Sequence, residues 1–136
     1  MSKIIPSIIA GLGAVIGFLY GQACVPIIFT LLIFMTLDIV TGMIKAFFAK
    51  NVNSNIGFKG ITKKMLILII LLVIHLLEES VLKTGIVLTS SAIFYYIANE
   101  GISIIENVIE FIPVPEKVKE IFEQVKSTND KDEDQE

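Results

Sequence analysis

The sequence has few of the residues on which enzymes and metal centres depend. Trp is absent, Cys24 is the single cysteine and His75 is the single histidine, so neither an intramolecular disulfide nor a cysteine metal cluster can form. The P-loop, zinc-protease and nucleophile-elbow motifs are absent as well. We therefore expect that the protein is not an enzyme and that it uses no cofactor or metal.

Charged residues are also scarce, and their distribution is uneven. They make up 18% of the 136 residues, whereas apolar residues make up 54%. Residues 113–136 contain 4 Lys and 8 acidic residues, while residues 1–112 contain 7 Lys and 6 acidic residues and so carry a formal charge of +1. A chain this apolar and this nearly neutral is not a soluble α/β enzyme, a nucleic-acid binder with a basic face or a disordered protein.

Four apolar segments dominate the chain. A membrane-spanning helix needs ~20 residues, with ~17 as a lower limit. The second segment exceeds this length, the first and third approach it, and the fourth reaches it only by continuing past Asn99 and Glu100. We predict an all-α, small integral membrane protein with three to four transmembrane helices. The segments are Ile4–Tyr20, Pro26–Phe48, Ile61–Leu77 and Gly85–Ala98.

The C-terminal region differs from the rest of the chain. Pro113 and Pro115 end the fourth segment, because a residue that precedes proline is disfavoured in a helix. Glu116–Lys126 then predicts a short amphipathic helix. We therefore place a single membrane domain at residues 1–126 and a polar, acidic, disordered tail at residues 127–136.

Lysines are concentrated around a central loop, which we predict at residues 49–62 because three Asn and two Gly lie there. If all four segments span the membrane, ten lysines lie on the side of this loop and of both termini, and Lys83 alone lies on the other. The positive-inside rule then predicts a multi-pass membrane protein whose N-terminus, central loop and C-terminus lie in the cytoplasm. Anionic membrane lipids are sufficient partners for these lysines, and no nucleic-acid partner is expected.

Small residues occupy one face of the first segment. Gly13, Gly17 and Gly21 repeat every four residues. Lipid provides no hydrophobic drive for helices to associate, so close approach through small residues is a main route to association. The face predicts either self-association into a homo-oligomer or tight packing within the chain. Ser7, Ala10 and Ala14 complete it.

Asp38 lies near the middle of the second segment and forms one polar stripe with Thr41, Gly42 and Lys45. An ionisable residue at this depth is costly unless it is paired, protonated or hydrated. Lys45 is two turns away along the same helix, so we consider His75 and Asn99 as partners. A hydrogen-bonded anchor between helices and a pore-lining role both remain open.

The fourth segment predicts an amphipathic helix over Val87–Ile112. One side is polar and the other contains most of the isoleucines and phenylalanines. Such a helix either lies in the membrane interface or lines a water-filled space. The polar side consists of Ser91, Tyr95, Asn99, Ser103, Glu106 and Glu110.

Four stretches of the chain resemble the toxin-secretion/phage-lysis holin family. They are LDIVTGMIKA at 37–46, SNIGFKGITKK at 54–64, IFYYIANEGISIIENV at 93–108 and PVPEKVKEIFEQVK at 113–126. Their order and spacing match the family over roughly residues 30–126, with Ile39 where an aromatic residue is common. The family-pattern positions, taken as pore or packing candidates, are Asp38, Thr41, Gly42, Gly57, Gly60, Lys63, Lys64, Asn99, Glu100, Glu106 and Asn107.

The resemblance implies a small phage-type holin. Such proteins oligomerise in the bacterial cytoplasmic membrane and open lesions at a set time, and host-cell lysis follows. A cell-wall hydrolase (endolysin) or a toxin leaves through the lesions as cargo, without necessarily binding the holin. An antiholin or a non-lytic assembly protein of the same fold is the alternative. A small ion channel or transporter subunit is a third possibility, of which a transporter is disfavoured because the chain has no internal repeat and only one central acid.

Overall fold

The computed structural model describes residues 3–51, 54–118, 120–121 and 124. Over these residues the fold is all-helical, as expected, and contains no strand. A 3₁₀ turn at Gln22–Cys24 joins the first two helices, and a π-helical turn at Glu78–Leu82 follows the third. The four helices are α1 (Ile4–Tyr20), α2 (Val25–Phe48), α3 (Ser54–Leu77) and α4 (Val87–Val108).

The core is built from stripes of apolar residues at helical spacing. In α2, Ile28, Leu31 and Met35 recur every three or four residues and are all buried, as one face of a helix requires. Ile67 and Leu71 form the matching stripe of α3, and fully buried Ile93 is the contribution of α4. Only the C-terminal end of α1 joins this core, through Ile16 and Tyr20. The core residues are Ile16, Tyr20, Cys24, Ile28, Leu31, Met35, Ile67, Leu71 and Ile93.

The exterior of the helices is largely apolar. Among the described residues, Gln22–Phe48 and Gly57–Leu82 are helical stretches long and apolar enough to cross a membrane, and Ile4–Tyr20 is a shorter apolar helix. Large apolar side chains that would be costly in water project outward from all three. Exposed examples are Ile8, Leu12, Phe18, Ile33, Phe47, Ile69 and Val73.

Two predicted boundaries are wrong. The loop predicted at 49–62 is shorter, because α3 already begins at Ser54. Two glycines in its first turns disfavour a helix by only ~1 kcal/mol each, and packing of the following apolar run outweighs that cost. The helix predicted over Val87–Ile112 ends at Val108. Its last residues form turns before Pro113, with the Phe111 N–H donating to the Val108 carbonyl at 2.9 Å.

The predicted C-terminal helix and tail are only partly described. Residues 116–118, 120–121 and 124 are helical, and the Val118 N–H donates to the Pro115 carbonyl at 2.9 Å. The other positions of Glu116–Lys126 and all of residues 127–136 lie outside the described residues. The amphipathic helix and the acidic tail therefore stay predictions.

Candidate functional site

Three charged side chains from three helices meet at one place, which we call the ionic cluster: Asp38 of α2, Lys64 of α3 and Glu100 of α4. The Lys64 ammonium lies 2.8 Å from Asp38 Oδ2 and also contacts Glu100 Oε2. The exposed fractions of the three side chains are only 12% for Lys64, 16% for Asp38 and 8% for Glu100. One cation therefore serves two largely buried carboxylates, and the cluster carries a formal charge of −1.

The stripes that form the core also bring these charges together. Asp38 follows buried Met35 by three residues, so it continues the inward face of α2. Lys64 precedes buried Ile67 by three residues on α3, and Glu100 follows Ile93 by two turns on α4. Each charge thus faces the interior of the helix bundle beside the apolar core.

Asn107 ties α4 to α2 beside the ionic cluster. Its Nδ2 donates to Asp38 Oδ1 and to Thr41 Oγ1, each at 3.1 Å. A side chain on Gly42 would approach this amide to 3.5 Å, so the glycine leaves room for it. Further along, Lys45 Nζ pairs with Glu110 Oε1 at 2.8 Å on the surface. The inward face of α2 therefore changes from apolar to polar at Asp38. Polar side chains at the end of α4 and just beyond it contact this polar part of α2.

A cavity of about 340 Å³ opens beside the ionic cluster. Polar side chains of α3 and α4 form much of its wall, and Lys63 and Glu106 are exposed. The cavity therefore offers a polar route between the surface and the buried charges. Besides the ionic cluster, its lining includes Gly60, Lys63, Tyr96, Asn99, Ser103 and Glu106.

Most of the family-pattern positions converge on this region, although they come from segments far apart in sequence. Thr41, Gly42 and Asn107 surround the ionic cluster, and Gly60, Lys63, Asn99 and Glu106 line the cavity. Gly57 does not take part: it is exposed, and nothing lies near where its side chain would be.

The partners of Asp38 differ from those considered from the sequence. Its carboxylate is bound by Lys64 and Asn107. Asn99 lies at the cavity wall, and His75 lies on α3 three turns beyond Lys64. The stripe spacing of Lys64 relative to Ile67 and Leu71 was the signal that could have identified it.

A second polar site, which sequence reasoning missed, fixes the start of α4. Glu78 is fully buried. Its carboxylate accepts hydrogen bonds from the Leu88 N–H at 2.7 Å, from the Thr89 N–H at 2.7 Å and from Thr84 Oγ1 at 2.9 Å. It therefore satisfies backbone donors that the first turn of a helix leaves free. The signal in the sequence is that Glu78 continues the inward stripe of α3 past Leu71 and His75.

His75 packs beneath the turn between α1 and α2. It is buried, and its Nε2 lies 3.4 Å from the Glu79 carboxylate. Gly21 approaches it closely, since an added Cβ would lie 3.2 Å from His75 Cε1. The Tyr20 hydroxyl donates to the Leu68 carbonyl at 2.8 Å, which ties the end of α1 to α3.

The small-residue face of α1 is divided between two environments. Gly17 is buried, and an added Cβ would collide with the Gln22 side chain. Gly21 is half-buried beside His75, and a Cβ on half-buried Gly13 would lie 3.9 Å from the Phe29 ring, in ordinary contact. These positions pack within the chain. Ser7, Ala10 and Ala14 of the same face are exposed.

The chain is similar in sequence to several known proteins. An uncharacterised 14.9 kDa protein from the nagH 3′ region of Clostridium perfringens is 44% identical over 119 residues, covering 86% of this chain and 89% of the relative. An uncharacterised Listeria monocytogenes protein, Lmo0128, is 35% identical over 115 residues, covering 84% and 81%. A protein named "Probable holin" from Bacillus phage phi105 is 32% identical over 114 residues, covering 83% and 82%.

No solved structure matches the chain. The bacteriophage holin family matches residues 14–127. Holins are generally non-enzymatic, and the match indicates no catalytic family. The family and the two long apolar helices together point to a membrane protein. The resemblance seen in the motifs is confirmed, and the chain belongs to the bacteriophage holin family.

Proposed function

We propose that the protein is a holin that accumulates in the bacterial cytoplasmic membrane, oligomerises and opens lesions. A cell-wall hydrolase or a toxin leaves the cell through these lesions. The observation that carries the proposal is the family match over residues 14–127. The phage relative named as a holin supports it.

The distribution of polar and apolar surface fits this function. The apolar exterior of α1, α2 and α3 suits contact with lipid. The ionic cluster and its cavity lie inside the helix bundle, where charges are tolerated because they are paired. On α4, Tyr95, Asn99 and Glu106 are exposed. These polar groups are the ones that a water-filled lesion would stabilise.

Oligomerisation is part of the proposal. The part of the small-residue face that does not pack within the chain, Ser7, Ala10 and Ala14, is free for a neighbouring subunit. Close backbone approach through such residues is a main route to helix association in lipid. We place both termini and the loop between α2 and α3 in the cytoplasm because of the lysines around them.

Regulated expression in a bacterium tests the proposal. The membrane potential is followed with a dye and lysis by turbidity, with and without a co-expressed cell-wall hydrolase that has no export signal. We expect an abrupt loss of potential after a delay, with rapid lysis only when the hydrolase is present. Cells that express the hydrolase alone are the control.

Two other outcomes contradict the proposal. An intact potential, with the hydrolase retained inside although the chain accumulates in the membrane, would rule out a lytic role. A delay of lysis when the chain is co-expressed with a lytic holin would instead favour the antiholin alternative.

A further inference from the structure

We propose that the ionic cluster is a latch: its contacts hold α4 against α2 and α3, and when α4 moves outward and water surrounds the charges, the cluster becomes part of the wall of the lesion. Lys64 is the positioning residue of this latch. The inference rests on the proposed holin function and adds to it the element that moves and the residue that restrains it.

The contacts show how α4 is held. Glu100 reaches the Lys64 ammonium of α3, and Asn107, two turns further along α4, donates to Asp38 Oδ1 of α2 at 3.1 Å. Lys64 also binds the other oxygen of Asp38 at 2.8 Å. A single ammonium group therefore links three helices, and α4 cannot turn or withdraw without separating charges in a largely buried site.

The energetics of buried ions make such a cluster suitable for switching. Removing one partner of a buried ion pair is strongly destabilising, because the remaining charge has no counter-ion. Replacing a whole buried ion pair or triad with well-packed hydrophobic side chains of similar volume is often neutral or stabilising, because no ion then has to be desolvated. The cluster has two acids and one base, so water competes well for its excess negative charge.

The cavity provides the route for that water. It joins the ionic cluster to the exposed side chains of Lys63 and Glu106. Filling it with water stabilises the charges of Asp38 and Glu100 in any arrangement in which α4 has moved outward. Hydration and movement of α4 therefore favour each other, and such coupling between two states gives an abrupt transition.

The test measures the position of α4 separately from lysis. Ile93 of α4 is fully buried, so Ile93→Cys in a Cys24→Ser background reacts with a water-soluble thiol reagent only when α4 leaves the core. The cells co-express the cell-wall hydrolase, membranes are isolated from cells collected before lysis, and the labelling rate is compared with the time of lysis onset. Three variants are placed in this parent: Lys64→Met, the triple variant Asp38→Asn/Lys64→Met/Glu100→Gln, and Lys59→Met as the matched control.

The two test variants should behave differently. Lys64→Met leaves two acids without a counter-ion, so we expect labelling roughly tenfold faster than in the parent and earlier lysis. The triple variant removes every charge, so labelling should be no faster than in the parent and lysis no earlier. Lys59→Met removes an exposed lysine of the same helix and should match the parent.

A role in folding alone would impair both test variants alike. The latch is overturned if Lys64→Met labels and lyses like the parent, or if the triple variant labels faster than the parent. If Lys64→Met does not accumulate in the membrane, the triple variant decides by the same criterion. A parent that never lyses cells contradicts the holin function, whereas the order of the labelling rates still tests the latch.

Discussion

Asp38 and Lys64 illustrate how an apolar chain accommodates ions. Each continues a stripe of buried aliphatic residues, so helix geometry directs both charges into the bundle, where they meet at 2.8 Å. Burial of either charge alone would be prohibitive. The ion pair between them, together with the hydrogen bond that Asn107 donates to Asp38, makes burial tolerable. The same spacing that places Met35 and Ile67 in the core thus places the polar site next to it.

Gly21 is the residue for which we predict the clearest effect of a single methyl group. Its φ of 79° and ψ of 144° suit glycine, and an added Cβ would lie 3.2 Å from His75. Gly21→Ala should lower the free energy of unfolding by about 1–3 kcal/mol. The measurement is thermal unfolding in detergent, followed by circular dichroism.

Gly11→Ala is the matched control for this substitution. Gly11 lies within α1, and nothing lies within 4 Å of where its Cβ would be, so alanine should stabilise the helix by about 0.5–1 kcal/mol. Equal midpoints for the two variants would show that the turn between α1 and α2 does not depend on the conformation of Gly21.

For single residues, the sequence identified the candidate site residues better than it identified the contacts between them. It showed that Asp38 needs a partner, because the residue lies within an apolar segment. It did not identify Lys64, because pairing between helices depends on how three stripes align. That alignment is set by packing of Leu31, Leu71 and Ile93, which no local pattern reveals.

Among the helices, α4 depends most on contacts with its neighbours. Polar groups hold it at two positions. The Glu78 carboxylate, in the turn after α3, binds the start of α4, and Lys64 of α3 binds Glu100 further along. The apolar core at Ile93 lies between them. α4 therefore has a defined resting position although much of its outer side is polar.

Removal of the Glu78 carboxylate should loosen the start of α4. In Glu78→Ala the N–H groups of Leu88 and Thr89 lose their acceptor, so we expect their hydrogen exchange to be several-fold faster. Glu78→Gln retains one acceptor oxygen and should be intermediate. Ser80→Ala, an exposed change in the same turn, is the control. Unchanged exchange at Leu88 and Thr89 in Glu78→Ala would contradict a capping role.

The four helices predicted from the apolar segments were found, whereas some of their ends were not. Long runs of apolar residues identified all four, and the polar and apolar sides of the fourth also indicated a helix. The start of α3 was missed because Asn, Ser and Gly are typical of loops, yet Ser54 and the glycines after it fold into the first turns of the helix. The π-helical turn at Glu78–Leu82 was not predicted either, because it lies beyond the end of the third apolar segment.

For the whole molecule, orientation in the membrane is the main prediction. With four membrane-associated helices and the lysine distribution of the chain, reporter fusions after Gly21 and near Glu79 should be external. Fusions near Asn51 and at the C-terminus should be internal. An external C-terminus would contradict four spans and favour three.

The length of α1 makes this measurement informative. It has 17 residues, about 26 Å at 1.5 Å per residue, and so lies at the lower limit for a spanning helix. If α1 does not span the membrane, the fusion after Gly21 will be internal. The sites on the two sides of α1 therefore decide between a span and a surface-lying helix.

The central claim is that this chain permeabilises a membrane, and release from liposomes tests it most directly. The full chain is purified in detergent and incorporated into liposomes of anionic and zwitterionic lipid that contain a self-quenched fluorescent solute. Protein-free liposomes prepared with the same detergent are the control. We predict that release rises steeply above a threshold ratio of protein to lipid, as oligomerisation requires. Liposomes that contain the incorporated protein at every ratio and still retain the solute would contradict the account.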